Sequence, residues 1–309
     1  MGACNCSNAI DQQEKISKSS YNFSYAVGQG GFGKVWKVVD KKTKEVYALK
    51  IMEKHKILTK KSVQSVINEK NILQEIQDDF IVNMKMAFQD KESLYLVLEY
   101  LDGGDLRYHL NKCYEYSEEE TQFIAASIIQ GLEKVHNHNI IHRDLKPENI
   151  VFSSNGQLKI TDFGIARYYR PDNADQTSGT PGYMAPEVLM KCSHDFLVDY
   201  YALGVILFEI IYGERPYLGR NRKEIKQQVL QVQRYLSMDD LPDETWSLES
   251  ADFVNQLIKR KPANRLGAKG IEQIKSHPWL KNFPWQNLKN GTLQNPFKPR
   301  VNYKKILKK

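Results

Sequence analysis

The sequence predicts an α+β chain of two lobes: a small antiparallel β-sheet lobe carrying one helix, and a larger, mainly α-helical lobe. Three observations predict it. From Tyr21 to about Tyr100, β-type alternation dominates, as in "EVYALKIM" (Glu45–Met52), where Val46, Ala48 and Lys50 share one face. One stretch interrupts that pattern: "SVQSVINEKNILQEI" (Ser62–Ile76) sets Val66, Ile67, Ile72, Leu73 and Ile76 at helical spacing. Beyond Leu101 the periodicity turns helical.

The larger lobe opens on a capping box, Ser117 with Glu120, followed by an apolar stripe of Phe123, Ile124, Ile128, Leu132 and Val135. "LGVILFEIIYG" (Leu203–Gly213) is the longest apolar run and reads as a buried helix. It falls short of the roughly 18 residues that a membrane span needs. Residues 1–20 are polar and without periodicity, and read as a flexible arm. The expected organisation is therefore an arm over 1–20, a folded unit over 21–281 and a tail over 282–309. The lobes divide near residue 100, through a connector at Glu99–Asp105.

Composition narrows the setting. The chain has 309 residues, 41% hydrophobic and 26% charged, as expected for a globular protein. The amino terminus has no apolar secretory core. Cys4 and Cys6 lie in the arm, Cys113 and Cys192 stand in unrelated contexts, and no CxxC occurs. That usage points to a reducing, cytoplasmic setting and away from zinc. The net charge of +7 is uneven: Lys281–Lys309 holds eight Lys/Arg and no Asp/Glu. Trp285, Phe297 and Tyr303 punctuate this basic segment, which suggests a strip laid across the domain on aromatic anchors. It contains no nucleic-acid recognition motif or base-stacking pattern, so no nucleic acid is expected as a partner.

Three stretches carry chemistry. "VGQGGFGKV" (Val27–Val35) has glycines at 28, 30 and 33, which allow close backbone approach to phosphates but equally mark a tight hairpin. A strand-like "KVWKVVD" follows where a dinucleotide-binding unit needs a helix, so a hairpin lid over a nucleotide fits better. Lys50 lies on the inward face of a strand and needs a counter-charge, for which Glu69 is suitable; a solvent-reaching edge lysine is the plainer alternative. The third stretch is "IIHRDLKPENIVFSSNGQLKITDFGIAR" (Ile140–Arg167). Its Asp144, Asn149 and Asp162 could supply a base and hard oxygen ligands for Mg2+–phosphate chemistry, although any one of them alone is commonly a capped turn.

Taken in order, these stretches and "APE" resemble the eukaryotic protein kinases over roughly Phe23 to Lys281. The resemblance implies a bilobal kinase fold and transfer of the γ-phosphoryl group of ATP, with Mg2+. Gly28, Gln29, Gly30, Gly31, Phe32 and Gly33 would cover the phosphates. Lys50 would hold the α/β-phosphates, fixed by Glu69. Asp144 would accept the substrate hydroxyl's proton with Lys146 beside it, and Asn149 and Asp162 would hold the metal. Val35, Ala48 and Val151 would sandwich the adenine, Leu98 would back the pocket, and the backbone of Glu99 and Leu101 would read the adenine edge. Asp105, Glu148 and Thr161 complete the implied ATP-binding set. Leu73, Met84, His142 and Phe163 match the family's internal spine, anchored by Asp199, and Glu187 with Arg265 its structural ion pair.

Lys146 and Thr180 match the serine/threonine branch. Asp105, Glu148 and Glu209 fall where basophilic members keep acids for substrate arginines upstream of the target. "NEKNIL", "GGDLRYHL", "NRLG", "HPWL" and "NPFKP" resemble the AGC group; "GGDLRYHL" with an amino-terminal MG also resembles the YANK branch, and "GTPGYMAPEV" is equally at home in calmodulin-regulated kinases. The carboxy-terminal "RVNYKKILKK" departs from AGC tails in having no FxxF. Arg143 and Arg167 match residues that clasp an activation-loop phosphate. Gln176 occupies the usual position of that phosphate, so Thr177, with Ser178 beside it, is the expected site for an upstream kinase. A pseudokinase scaffold is the competing function, opposed by the completeness of Lys50, Asp144, Asn149 and Asp162. Finally, "MGACNCS" places Gly2 for N-myristoylation, with Cys6 where the motif has Ser/Thr, and Cys4 and Cys6 for palmitoyl support. One acyl chain holds a membrane only marginally, so two signals would be needed to keep the protein at the cytoplasmic face.

Overall fold

The computed structural model describes residues 16–112, 114–174 and 177–301. Five strands, β1 (Tyr21–Gln29), β2 (Gly33–Asp40), β3 (Val46–Glu53), β4 (Met84–Gln89) and β5 (Ser93–Glu99), form an antiparallel sheet ordered β1-β2-β3-β5-β4. The alternation read in Glu45–Met52 is realised in β3, where Lys50 sits opposite Val35 of β2 and Leu96 of β5. A short helix not anticipated from the alternation, α1 (Lys54–Thr59), follows β3 directly. It buries only Ile57, too little to stand out as a periodic stripe.

Helix α2 (Val63–Glu75) forms where the spacing predicted, but rotated from the expected face. Val66, Ile72, Leu73 and Ile76 are buried, whereas Ile67 is 45% exposed. The residue that joins the inward stripe is Glu69, 2% exposed. A stripe at i, i+3, i+6/i+7 and i+10 passes through position 69, not 67. A carboxylate on the apolar face must be paired, and its partner lies across the site described below.

The larger lobe contains α3 (Leu106–Leu110), α4 (Glu118–Asn137), α5 (Pro186–Leu189), α6 (Leu197–Tyr212), α7 (Arg222–Gln231), α8 (Leu248–Leu257), α9 (Ile271–Lys275) and α10 (Trp285–Lys289). The capping box is present at α4: Ser117 Oγ accepts from Glu120 N at 3.2 Å, and Glu120 Oε2 accepts from Ser117 N at 2.9 Å. The predicted apolar stripe of α4 is buried throughout. The apolar run Leu203–Gly213 supplies most of α6, which is buried from Leu197 to Ile211 and packs against α4 and α8. Two small ribbons, β6 (Ile140–Ile141) with β9 (Arg167–Tyr168) and β7 (Ile150–Phe152) with β8 (Leu158–Ile160), hold the loops of the third motif against this core.

The basic tail lies on the domain over its described part. Trp285 packs with Phe283 and under the ammonium of Lys275. Phe297 is fully buried in a box of His109, Tyr114, Tyr116 and Phe152 rings. Tyr303, the third expected anchor, lies outside the described residues, as do Gly2, Cys4, Cys6 and Gln176.

Candidate active site

Pleating places Ala48 and Lys50 on the same face of β3, and Leu98 of β5 sits opposite Ala48. Val151 of β7 is bridged to Asp105, just before α3. The β1–β2 hairpin closes above through Gly30 N to Gly33 O at 2.8 Å. A Cβ on Gly33 would stand 2.0 Å from the Ile51 carbonyl oxygen, whereas one on Gly28 would meet nothing within 4 Å. Gly33 thus serves strand packing, and Gly28 leaves open space over the site. Gly31 and Phe32 are held by Lys60, just past α1: its Nζ donates to Gly31 O at 2.7 Å and lies 5.6 Å from the Phe32 ring centroid.

The Lys50 ammonium donates to Glu69 Oε1 at 2.5 Å and to Asp162 Oδ1 at 3.1 Å. Burial alone would depress the Lys50 pKa, but Asp162 and Glu69 outweigh it and hold the lysine charged. The Lys50 charge holds Asp162 down to about 2, against its own desolvation. Burial pushes Glu69 upward, with Lys50 opposing. The Asp162 side chain is nonetheless 49% exposed, so it meets the lysine through one oxygen and still reaches solvent. Its backbone is left-handed, φ 61°, as is that of Arg143, φ 68°. Such geometry costs on the order of 1 kcal/mol per residue and survives only where neighbours dictate it. At Arg143 the neighbour is Asp199, whose carboxylate accepts from His142 N and Arg143 N, each at 2.9 Å. Burial would raise the Asp199 pKa, but hydrogen bonding from His136 Nε2 at 2.9 Å and the backbone amides keep it below the ordinary value.

Asp144 is the centre of a second network. Its Oδ2 accepts from Lys146 Nζ at 2.6 Å, and its Oδ1 accepts from Thr180 Oγ at 2.8 Å. Asn149 Nδ2 donates to the Asp144 carbonyl at 2.8 Å, which turns the amide so that Oδ1 is left for another ligand. Thr161 spends its hydroxyl and its amide on the Asn149 carbonyl. His142 and Phe163 are both fully buried, ring against ring at 5.0 Å, with Leu73 2% exposed nearby in the same core. Arg265 forks onto Glu187 at 2.7 and 3.0 Å. Asn149 and Asp162 thus offer oxygen donors, one ionised at neutral pH, which is the donor set a hard divalent cation takes.

Several functional features escaped the sequence reading. The Glu99 side chain is clamped by Lys159 Nζ at 2.8 Å and by Asn83 N at 2.6 Å, so the strand end before the connector is pinned to β8. Arg167 donates to Ser65 Oγ of α2 at 2.5 Å and to Ala166 O, so it joins β9 to the small lobe. Arg143 donates to Ile165 O. Thr177 is exposed and Ser178 is half-buried. Most unexpectedly, Glu148 and Glu209 are bridged by Arg107, which donates to Glu148 Oε1 at 3.0 Å and to Glu209 Oε1 at 2.7 Å. The sequence signal was an arginine two residues after Asp105, but its partner on α6 is 102 positions away.

Comparison with known proteins follows the same lines. The protein kinase domain family matches residues 21–280. A probable serine/threonine-protein kinase of Dictyostelium discoideum is 38% identical over 286 residues, covering 92% of this chain and 61% of the relative. Protein kinase 2 of the same organism is 36% identical, covering 94% of this chain and 59% of the relative. The serine/threonine-protein kinase gad8 of Schizosaccharomyces pombe is 35% identical, covering 94% and 50%. The chain therefore spans between half and about three-fifths of the length of these relatives.

Proposed function

The chain belongs to the protein kinase family, among serine/threonine kinases of the AGC type, and on that premise we propose that it transfers the γ-phosphoryl group of ATP to serine and threonine hydroxyls of protein substrates. The observation that carries this reading is the pair of neighbouring charge networks, Lys50–Glu69–Asp162 and Asp144–Lys146–Thr180, with the Lys146 charge also acting on Asp162. Lys50, held charged and aimed by Glu69, positions the α/β-phosphates. The hairpin backbone over Gly28–Gly33 covers them, with Val35, Ala48, Leu98 and Val151 against the adenine and the Glu99 and Leu101 backbone at its edge. Asp105, Glu148 and Thr161 complete the nucleotide surroundings.

Asp144 accepts the proton of the attacking hydroxyl. Thr180 and Lys146 each occupy one of its oxygens and so fix the carboxylate's orientation, while the Lys146 ammonium lies where charge on the transferring group would be offset. Asn149 and Asp162 would hold Mg2+, which supplies charge neutralisation for the phosphates. Lys50 and Asp162 are already ionised and paired, so little reorganisation is required of them. The test is phosphate incorporation from Mg-ATP into a degenerate Ser/Thr peptide library by wild type and Asp162→Ala. Loss of incorporation in the variant supports the reading. Equal incorporation in both preparations refutes the role given to Asp162; none in wild type or in its Thr177→Glu form refutes turnover and leaves a scaffold.

Regulation and placement extend the proposal. Thr177, exposed on its loop, is the residue an upstream kinase would modify; full activity of Thr177→Ala would remove that requirement. Gly2, with Cys4 and Cys6, would carry acyl groups, and the basic segment 281–309 would add attraction to anionic lipid. No helix among the described residues is long and apolar enough to cross a membrane, so attachment would rest on these groups. Gly2→Ala should move the protein out of the membrane fraction, and unchanged fractionation would refute the anchor. The preference for basic residues upstream of the target would rest on Glu148, which is 45% exposed.

A further inference from the structure

Glu209 is not in the state that recognition of a substrate arginine requires. It is 7% exposed, and both of its oxygens are filled. Arg107 Nη1 donates to Oε1 at 2.7 Å, Nη2 donates to Oε2 at 3.1 Å, and Tyr183 Oη donates to Oε2 at 2.6 Å. Arg107 Nη2 also donates to Tyr183 Oη at 2.5 Å, and Nε donates to Glu148 Oε1 at 3.0 Å. The guanidinium therefore sits in a fork of two carboxylates and a phenol, with 22% of its side chain exposed. A forked guanidinium–carboxylate pair is the geometry an incoming arginine would itself have to make. Such an arginine could reach Glu209 only by evicting Arg107, leaving one of two like charges without its acid.

We propose that Arg107 is a resident surrogate for a substrate arginine: it closes the Glu209 subsite, so this kinase takes an uncharged side chain at the upstream substrate position that Glu209 would otherwise read. The proposal rests on the kinase reading above and narrows it. A basic preference survives only where Glu148 presents its outer oxygen, because the third acid, Asp105, accepts from Tyr108 N at 2.7 Å as the cap of α3 and stands in the nucleotide surroundings. Arg107 is thus a specificity-determining residue whose effect is exclusion, achieved by filling the acids in advance. Removing its charge uncovers Glu209 and creates a second arginine subsite.

The experiment is a positional peptide library with Mg-ATP, run on wild type, Arg107→Ala, Arg107→Met and Arg107→Met/Glu209→Gln. The Met variant keeps the apolar stem should Ala disturb packing. Wild type should select arginine at no more than one upstream position. Both single variants should gain arginine-over-alanine selection at one additional position by about tenfold, the worth of a charge-assisted hydrogen bond. The double variant should lose that gain. Selection of arginine at two or more upstream positions by wild type, or no gain in either single variant, overturns the proposal. A second arm needs no turnover: anisotropy of a labelled arginine-rich peptide against its alanine counterpart, with each variant carried in Asp162→Ala. If no protein phosphorylates the library, the kinase reading fails, while the binding ratio still decides the role of Arg107.

Discussion

Replacing Phe297 with alanine tests how the basic tail serves the site. The ring is fully buried, and its centroid lies 4.7 Å from Phe152, 5.2 Å from His109, 5.5 Å from Tyr116 and 5.6 Å from Tyr114. Truncating a buried Phe costs about 3–5 kcal/mol, from lost transfer free energy plus the cavity. Four aromatic neighbours at about 0.5–1.5 kcal/mol each beyond area are all lost in Phe297→Leu, so that variant should still lose about 2 kcal/mol or more although it keeps most of the apolar volume. If the tail peels away on its own, the loss is capped at its docking free energy, and appears as local opening rather than global unfolding.

Function follows through His109, whose Nε2 is 2.8 Å from the Gly103 carbonyl. Gly103 N and Gly104 O in turn pair with Phe152, and Asp105 is bridged to Val151, so the box supports the connector beneath the proposed adenine position. The expected result in Phe297→Ala is a raised KM for ATP with a smaller change in kcat, together with faster hydrogen exchange at Gly103. Urea unfolding followed by circular dichroism gives the stability term, and initial rates against ATP give the other. A variant within about 0.5 kcal/mol of wild type, with KM unchanged, would refute the reasoning.

Gly156→Ala should reproduce the Phe297 phenotype, because its φ is +86° and an added Cβ would lie 2.2 Å from the Phe297 carbonyl oxygen; a wild-type melting temperature and KM would count against it. Gly33→Ala should raise the KM for ATP and lower the melting temperature, since its Cβ would overlap the Ile51 carbonyl. Gly28→Ala, with open space above it, should leave stability unchanged when both are measured by thermal melts. Acidification should weaken the tail box. Burial lowers the His109 pKa, Lys112 adds to this and the Gly103 carbonyl opposes it. The unfolded chain therefore takes up the His109 proton at a higher pH than the folded one. The neutral ring's stabilisation is complete above the ordinary histidine range and declines as pH falls toward the folded value. The drop in melting temperature from about pH 7.5 to about pH 5 should be smaller in His109→Leu than in wild type; equal drops would exclude His109 as the sensor.

Much of this architecture is legible locally. The capping box needs two residues three apart, and the buried helix α6 announces itself as an unbroken apolar run. The α+β class follows from where the alternation stops. The candidate site residues are legible through their order along the chain, which resembles one family closely. The rotation of α2 is harder to read, because Ile67 is more apolar than Glu69. Only Lys50, brought across from β3, makes the carboxylate the inward residue. The Phe297 box draws on residues from 109 to 297, and aromatic residues in a basic tail do not say which rings they will meet.

The chemical groups and the local elements that carry them are written in the chain order alone, because backbone periodicity, caps and motif spacing act over a few residues. Which charges meet is settled by long-range packing. Asp105, Glu148 and Glu209 read alone are three acids awaiting a substrate arginine. The fold brings Arg107 of α3 to Glu209 of α6, 102 residues later, and a buried carboxylate takes the cation that the fold delivers to it.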